Sequence, residues 1–464
     1  MQTSFANGIL APMKTADVIV ALATGAGSAA IGVVRLSGPG AWNIALTLCR
    51  DRNEPPPERR LVMEWLSDPS TGRVLDQALV AFFCAGASYT GEEAVELYCH
   101  GGPAVLDRVL MACLRTGARS ARPGEFTRRA VVAGRMDLLQ AEGVALLAMA
   151  GTEAAVDVGL GALSGRPSAQ IQMARESLLD LLADVEAALD HSEEDGVVVD
   201  LEAVAERLGD QANRLAGWLQ DARMLRPAVS GVRIALVGVP NAGKSSLFNA
   251  LLGRSRAIVH ADPGTTRDVV GEQLPLAGIC CQLLDTAGLR DAGADEVEAE
   301  GMSRAADAAR EADIVVLVVD GALPQCPDVL PAKVDVVVVT KADLPQSEAS
   351  WLDAMPETQI LRTSCISGEG LNELRSMLAE KASEVARRGD ALKAVVAGQR
   401  QIDSLTSALR SIETAGHEWA VDDAPLEAVA SGIRRAVEFL GEVDGSRVTE
   451  EVLDRVFQRF CVGK

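Results

Sequence analysis

The chain has 464 residues, room for about three domains of ordinary size, and is 48% hydrophobic but only 3% aromatic, so its cores should be aliphatic and much of it helical. A net charge of −21 argues against a protein that grips nucleic acid by its overall field. Nine cysteines without C-x-x-C spacing, beside four histidines, argue against a disulfide framework or a zinc site and fit a reducing compartment. Apolar runs fall short of the roughly 20 residues of a membrane span. Lys14 and Asp17 interrupt the first apolar stretch, unlike a signal peptide. A soluble, cytoplasmic chain with no membrane partner is expected.

Residues 1–135 read as α+β. Short strands are predicted at Val18–Leu22, Ile31–Leu36, Ala78–Phe83 and Ala94–Cys99, separated by turns such as Ser37-Gly38-Pro39-Gly40 and Pro55-Pro56-Pro57. Arg108, Arg115, Arg119, Arg122, Arg128, Arg129 and Arg135 crowd the end of this segment. They are either a solvated helix face or a local grip on RNA. Residues 136–230 turn acidic and helical, with Ile171, Leu178, Leu181, Leu182, Val185 and Leu189, then Leu201, Val204, Leu208, Leu215 and Leu219, at helical spacing. A strand-rich segment occupies 231–385, and helical periodicity returns over 386–464. An α/β domain inserted between two helical stretches implies that those stretches pack together as one helical domain.

The inserted segment carries the chemistry. Gly238-Val239-Pro240-Asn241-Ala242-Gly243-Lys244-Ser245 fits G-x-x-x-x-G-K-[ST]. It lies between a predicted strand, Arg233–Val237, and predicted helical turns from Ser246 to Leu252. A glycine loop running into a helix N-terminus aims backbone N–H groups at phosphate oxygens. Lys244 would reach the β- and γ-phosphates, and the Ser245 hydroxyl would ligate Mg²⁺.

Further loops follow in order. Gly264-Thr265-Thr266-Arg267-Asp268 can offer a threonine hydroxyl to Mg²⁺. Asp285-Thr286-Ala287-Gly288 follows the predicted strand Cys280–Leu284; Asp285 would hold the metal through water and the Gly288 N–H would sense the γ-phosphate. Thr340-Lys341-Ala342-Asp343 follows the strand Asp335–Val339, where the Asp343 carboxylate can accept from the ring N–H and exocyclic amine of guanine, a donor pair adenine lacks. Ser364-Cys365-Ile366 would close over the base. The series resembles a GTPase of the translation-factor-related class, a P-loop fold with a mostly parallel sheet.

Leu289 cannot orient a nucleophilic water, so another group must, and Asp295-Glu296-Val297-Glu298 follows shortly. Asn241 either stabilises its loop or ligates a monovalent cation, with carbonyls from His260–Thr265 around the same ion. A cation there would do the electrostatic work of an arginine finger, about 10³–10⁵ in rate. The terminal Phe460-Cys461-Val462-Gly463-Lys464 is either a frayed tail or a reactive thiol beside a cation.

The order of parts resembles the MnmE (TrmE) family of tRNA-modification GTPases over nearly the whole chain. The residues that carry the resemblance are Ile31–Gly38, Tyr89–Glu93 through Glu96, His100–Pro103, Arg122–Thr127, Met136–Leu138 with Gln140–Glu142, Pro240–Asn249, Gly264–Asp268, Asp285–Arg290 and Phe460–Lys464. The resemblance implies a multidomain α/β protein: an N-terminal folate-binding and dimerisation domain over 1–135, a helical domain over 136–230 and 386–464, and an inserted Ras-like P-loop GTPase domain over 231–385.

It implies GTP contacts from Asn241, Ala242, Gly243, Lys244, Ser245 and Ser246; from His260, Ala261, Asp262, Pro263, Gly264, Thr265 and Thr266; from Asp285, Thr286, Ala287 and Gly288; and from Thr340, Lys341, Asp343, Ser364, Cys365 and Ile366. K⁺ would be held by Asn241, His260, Asp262 and Thr265, and Mg²⁺ by Ser245 and Thr266. Glu298 would position the attacking water, with Lys244 as the other catalytic group of GTP hydrolysis. A one-carbon tetrahydrofolate, in its 5,10-methylene or formyl form, would meet Arg35, Glu96, Arg135 and Lys464.

Cys461 becomes, by resemblance, a direct participant in the nucleoside chemistry. The implied reaction adds an aminomethyl-type (carboxymethylaminomethyl) group to C5 of the wobble uridine of tRNA. It is shared by a homodimer of this chain and a flavoprotein, MnmG, carrying FAD and using NADH, in a heterotetramer. Four residues or stretches depart from the family pattern, one of them Leu189-Asp190-His191-Ser192-Glu193-Glu194-Asp195, where relatives show Asp-Phe-Pro-Glu-Glu. The Gly25–Ala30 loop is poor in glycine, Arg135 stands where many members have lysine, and Thr340 replaces the usual asparagine. The Thr340 hydroxyl can donate to the base or brace the loop, and weaker nucleotide binding is expected. A reading of another class, a GTP-dependent ribosome-assembly switch binding ribosomal RNA, would leave Cys461 and the N-terminal segment unexplained and would need an appended RNA-binding module. A stand-alone folate aminomethyltransferase would leave the GTPase unused.

Overall fold

The computed structural model describes residues 17–25, 27–190, 201–253, 271–284, 309–310, 312–327, 330–355, 358–387, 394–419, 426–458 and 460–463. Two compact units emerge. One comprises the residues up to Ala148 with Gly159–Ala216 and Asp403–Lys464; the other comprises Met149–Val158 and Gly217–Ile402.

The first unit opens with a six-stranded sheet. Its strands are β1 (Ile19–Leu22), β2 (Ile31–Ser37), β3 (Val62–Ser67), β4 (Val74–Phe83), β5 (Ala94–His100) and β6 (Arg119–Ser120), in the order β3-β4-β5-β2-β1-β6. Pairing is antiparallel except between β1 and β6. Alternation along β2 sends Val34 and Leu36 to one face and Val33 and Arg35 to the other. On the first face Val34, Leu36, Val80, Phe82, Val95 and Leu97 pack against Ile44 and Leu48 of α1 (Ala41–Leu48) and Leu106 and Val109 of α2 (Pro103–Arg115). Among the described residues the second face carries a small cluster, Ile19, Ala21, Ala121 and Phe126, the last on α3 (Glu125–Val132). In register across that face stand Ala21, Arg35, Glu96 and Ala81, and beside them Val33, Tyr98, Leu79 and Met63.

The helices of this unit include α4 (Leu138–Met149), α5 (Glu153–Leu163), α6 (Arg166–Asp190), α7 (Leu201–Ser230), α10 (Gln399–Trp419), α11 (Leu426–Asp444) and α12 (Glu450–Phe457); α4, α5, α7 and α10 also contribute residues to the second unit. Ile171, Leu178, Leu181 and Val185 on α6 recur at helical spacing and are buried, as are Ile433, Val437 and Leu440 on α11. Arg434 of α11 donates to Glu186 of α6 at 2.5 Å. Gly432 of α11 meets α10 so closely that a Cβ would lie 2.8 Å from that of Ala415. Leu138 and Ala141 on α4 share a core with Leu453, Phe457 and Phe460, so the C-terminal segment is packed rather than frayed.

The second unit holds the second sheet, formed by β7 (Val232–Val237), β8 (Gly271–Leu276), β9 (Ile279–Leu284), β10 (Ile314–Asp320), β11 (Val336–Thr340) and β12 (Gln359–Arg362). Their order is β12-β11-β10-β7-β9-β8, with all neighbours parallel except β8 and β9. The central strands are near-continuous apolar runs because both faces are covered. Ile234, Leu236, Val316, Val318 and Val338 meet Leu247, Phe248 and Leu251 of α8 (Lys244–Leu252) and Leu374 and Leu378 of α9 (Leu371–Ala386). Ala235, Val237, Val315, Leu317, Val337 and Leu352 fill the opposite face. No helix among the described residues is long and apolar enough to cross a membrane.

Strand Ile314–Asp320, wholly buried, was not singled out from the sequence, and neither were β3, β6, β8 and β12. The four strands expected over residues 1–135 occur as β1, β2, β4 and β5.

Candidate functional sites: a phosphate loop and a docked C-terminal tail

Parallel strands place their C-terminal ends at one edge of a sheet, where ligands of such folds bind. At the end of β7 the chain turns through Gly238 to Gly243 and enters α8. Asn241 (φ 62°) and Gly243 (φ 96°) are both left-handed, a backbone conformation that turns successive N–H groups into an anion-binding concavity. Lys244 donates through Nζ to the carbonyls of Gly238 and Val239, both at 2.8 Å. Asn241, Ser245 and Ser246 are exposed at the mouth of the loop, while Ala242 is buried beneath it. This donor set suits a phosphate chain, with the Ser245 hydroxyl a hard oxygen of the kind Mg²⁺ takes. Asn241 adds an amide oxygen that suits a monovalent cation.

The residues expected to meet the base stand at the next strand ends. Thr340 closes β11 and is 2% exposed. Its Oγ1 lies 2.7 Å from the Ala242 carbonyl oxygen and 3.1 Å from that of Val319. Lys341 is left-handed (φ 58°) and its ammonium meets Asp320 Oδ2 at 2.5 Å. Burial opposes ionisation of Asp320, but the hydrogen bond from Lys341 and two backbone N–H groups outweigh it and hold its carboxyl below the usual range. Asp343 is exposed, and its Oδ1 accepts from Ser364 Oγ at 2.5 Å. The Ser364 oxygen in turn accepts from the N–H groups of Ile366 and Ser367. Cys365 is half-buried and Ile366 exposed beside it. Asp320 was not foreseen from the sequence, because its pairing with Lys341 depends on β10 lying parallel to β11.

His260, Ala261, Asp262, Pro263, Gly264, Thr265, Thr266, Asp285, Thr286, Ala287, Gly288 and Glu298 lie outside the described residues, as does Lys464.

The first unit has its own polar centre. Arg35 Nε donates to Glu96 Oε1 at 2.9 Å, and Glu96 Oε2 accepts from the Tyr98 hydroxyl at 2.5 Å. Burial and this carboxylate push the Tyr98 phenol up to about 12. The Arg35 guanidinium stands 5.8 Å from the ring centres of both Tyr89 and Phe126, within cation–π reach. The chain has two tyrosines in all, and both belong to this centre; neither was picked as a site residue from the sequence. Arg135 does not join the pair directly in any hydrogen bond described. It donates to the Gly86 carbonyl at 3.0 Å and so fastens the loop that carries Tyr89.

The C-terminal tail reaches this centre. The Gly463 carbonyl accepts from Arg35 Nη1 at 3.4 Å, and the Cys461 carbonyl accepts from the Gly124 N–H at 3.4 Å. Gly124 adopts φ 65° at the start of α3, where only glycine is unstrained. Cys461 is exposed between these anchors.

Four of the seven clustered arginines are tied to carboxylates within the fold. Arg129 is 5% exposed and bonds Asp17, Glu92 and Glu125, Arg119 bonds Asp17 and Glu125, Arg115 bonds Asp68, and Arg128 pairs with Asp454. Arg108, Arg122 and Arg135 are exposed and outside the ion pairs described.

Comparison with known proteins matches both units. Residues 18–135 match the family described as GTP-binding protein TrmE N-terminus, and residues 138–461 match the MnmE helical domain. Among curated relatives, tRNA modification GTPase MnmE of Thermus thermophilus is 42% identical, covering 97% of this chain and 100% of that protein. The protein of the same name from Methylobacterium sp. 4-46 is 41% identical over 97% of this chain and 100% of its own length. That from Nostoc sp. PCC 7120 is 38% identical over 94% and 96%. The solved G domain of the T. maritima FeoB iron transporter is 29% identical, covering 34% of this chain and 99% of that one, with a TM-score of 0.25. With its N-terminal and helical segments both matched and relatives above 40% identity end to end, the chain belongs to the MnmE family of tRNA modification GTPases.

Proposed function

We propose that this GTPase acts in the cytoplasm on tRNA, adding a carboxymethylaminomethyl-type group to C5 of the wobble uridine together with an MnmG-type flavoprotein that carries FAD and uses NADH. GTP is hydrolysed at the phosphate loop. Lys244 neutralises phosphate charge, Ser245 and Thr266 hold Mg²⁺, and Asn241 with His260, Asp262 and Thr265 holds K⁺. Bound there, the two ions would supply positive charge to the developing transition state. Glu298 positions water. The domain division runs 1–135, 136–230, 231–385 and 386–464.

The observation that carries this reading over that of a simple nucleotide switch is the docked tail. It brings an exposed cysteine, Cys461, to a centre made of Arg35, Glu96 and Tyr98 on the sheet face and Tyr89 on the adjoining loop. Glu96 suits the amide and amine donors of a pterin, and Arg35, Arg135 and Lys464 suit its glutamyl carboxylates. A one-carbon tetrahydrofolate is therefore the assigned ligand of this centre.

The same face supports the homodimer. Ile31, Met63 and Trp65 are 58%, 65% and 45% exposed on it, with Leu79 between them. An apolar sheet face left open in one copy is what a second copy would cover. Dimers of this kind, each chain with one flavoprotein chain, make the heterotetramer.

Mass spectrometry of wobble nucleosides from cells lacking the chain tests the proposal. Loss of the C5 modification, restored by the wild-type chain, is expected. Fully modified anticodons in those cells would overturn it.

A further inference from the structure

We propose that Thr340 is a brace between the base loop and the phosphate loop and does not read N7 of the base. The inference rests on the assignment of these strand ends to a guanine nucleotide. A threonine hydroxyl has one proton to donate. At Thr340 the two acceptors within reach are backbone carbonyls, Ala242 O at 2.7 Å and Val319 O at 3.1 Å, and the residue is 2% exposed. The proton is therefore directed into the protein, away from any ligand. The side chain also fills the space behind Gly243. A Cβ on Gly243 would lie 3.1 Å from Thr340 Oγ1 and 3.4 Å from its Cβ and Cγ2.

The remaining base-loop groups point to the other edge of guanine. N1–H and the exocyclic amine are donors, whereas O6 and N7 are acceptors. Asp343 offers an exposed carboxylate, steadied by Ser364, that matches the two donors. Lys341 is held by Asp320. Thr340 thus acts on every nucleotide alike, by fixing the loop that binds phosphate, and its loss should not distinguish a base that has N7 from one that lacks it.

Displacement of a fluorescent GDP analogue from the full chain by GTP and by 7-deaza-GTP reads this directly. Thr340→Val, nearly isosteric, removes the hydroxyl. It should weaken both nucleotides by the same factor and leave their ratio within about twofold of the wild-type ratio, since a lost neutral hydrogen bond would shift it by more. Thr340→Ser should restore both affinities. If the valine protein does not fold, Thr340→Ala carries the same comparison. A wild-type preference for GTP that disappears in the valine or alanine variant would overturn the brace while leaving the guanine site intact. Failure of the wild-type chain to bind either nucleotide would overturn the guanine site itself, and the brace with it.

Discussion

Gly124 lies against the backbone of Phe457: a side chain at Gly124 would begin 2.7 Å from the Phe457 carbonyl oxygen and 3.0 Å from the Cβ atoms of Phe457 and Phe460. With its left-handed φ, Gly124 is the seat on which the tail bearing Cys461 rests. Gly124→Ala should therefore destabilise the chain by about 1–3 kcal/mol, through backbone strain and overpacking. It should lower wobble modification more than GTP turnover. Parallel melting curves, turnover assays and nucleoside analysis check this; equal loss of both activities would point to general misfolding.

Cys461 is exposed and held through its own backbone carbonyl, which accepts from the Gly124 N–H, rather than through its sulfur. Cys461→Ser should leave GTP turnover and melting within error of wild type and abolish wobble modification. Normal modified nucleoside in cells expressing only the serine variant would discard the thiol's role.

Asn241 is exposed in a left-handed conformation inside the phosphate loop, where its amide oxygen is open to a cation. GTP hydrolysis should run several-fold or more faster in KCl than in NaCl at equal ionic strength, since a cation at the transition state takes the place of an arginine finger. Asn241→Ala should remove the difference. Equal rates in the two salts would remove the cation from the mechanism.

Glu125 and Arg129 are buried side by side in an ion-pair network with Arg119 and Asp17. Burial raises the pKa of Glu125, but hydrogen bonds from Arg119, the Arg122 N–H and Arg129 outweigh this and bring it from 4.5 to about 2. Asp17 is shifted the same way: burial opposes, and Arg119 and Arg129 prevail. The sign follows from the lowered folded value. The contribution to stability is complete above about pH 4.5 and is lost as pH falls from there toward 2. Melting temperature should drop across that window in the wild type. Glu125→Gln should start lower, by about 3 kcal/mol for a broken buried pair, and lose less on acidification. A wild-type melting temperature that stays flat from pH 5 to 3 would contradict the linkage.

What could be read from sequence was what local backbone chemistry fixes. The phosphate loop is a contiguous run whose glycines, lysine and serine act through one turn and one helix start, so Gly238–Ser245 announces itself. Strands β2, β5, β7 and β11 are apolar runs or alternations bounded by turn residues. Asp320 was not legible, because its partner Lys341 is reached only through parallel pairing of β10 and β11. Tyr98 and Glu96 are two residues apart, yet what makes them a site is Arg35 across the sheet. The tail was ambiguous for the same reason: Arg35 and Gly463 are separated by 428 positions, and no local pattern reports such a contact. Burial of Arg129 could not be told from a solvated arginine, since its partners Asp17 and Glu92 come from distant segments.

The pairing of α6 with α11 bears on how the chain is made. Glu186 and Arg434 lie 248 residues apart. As the polypeptide leaves the ribosome, α6 and then α7 emerge long before α11, against which α6 packs extensively, has been synthesised. Domains generally fold as units during translation, so the inserted nucleotide unit has time to form first. The earlier helices meanwhile wait with a sticky surface that invites chaperone attention, until the final stretch arrives to cover it.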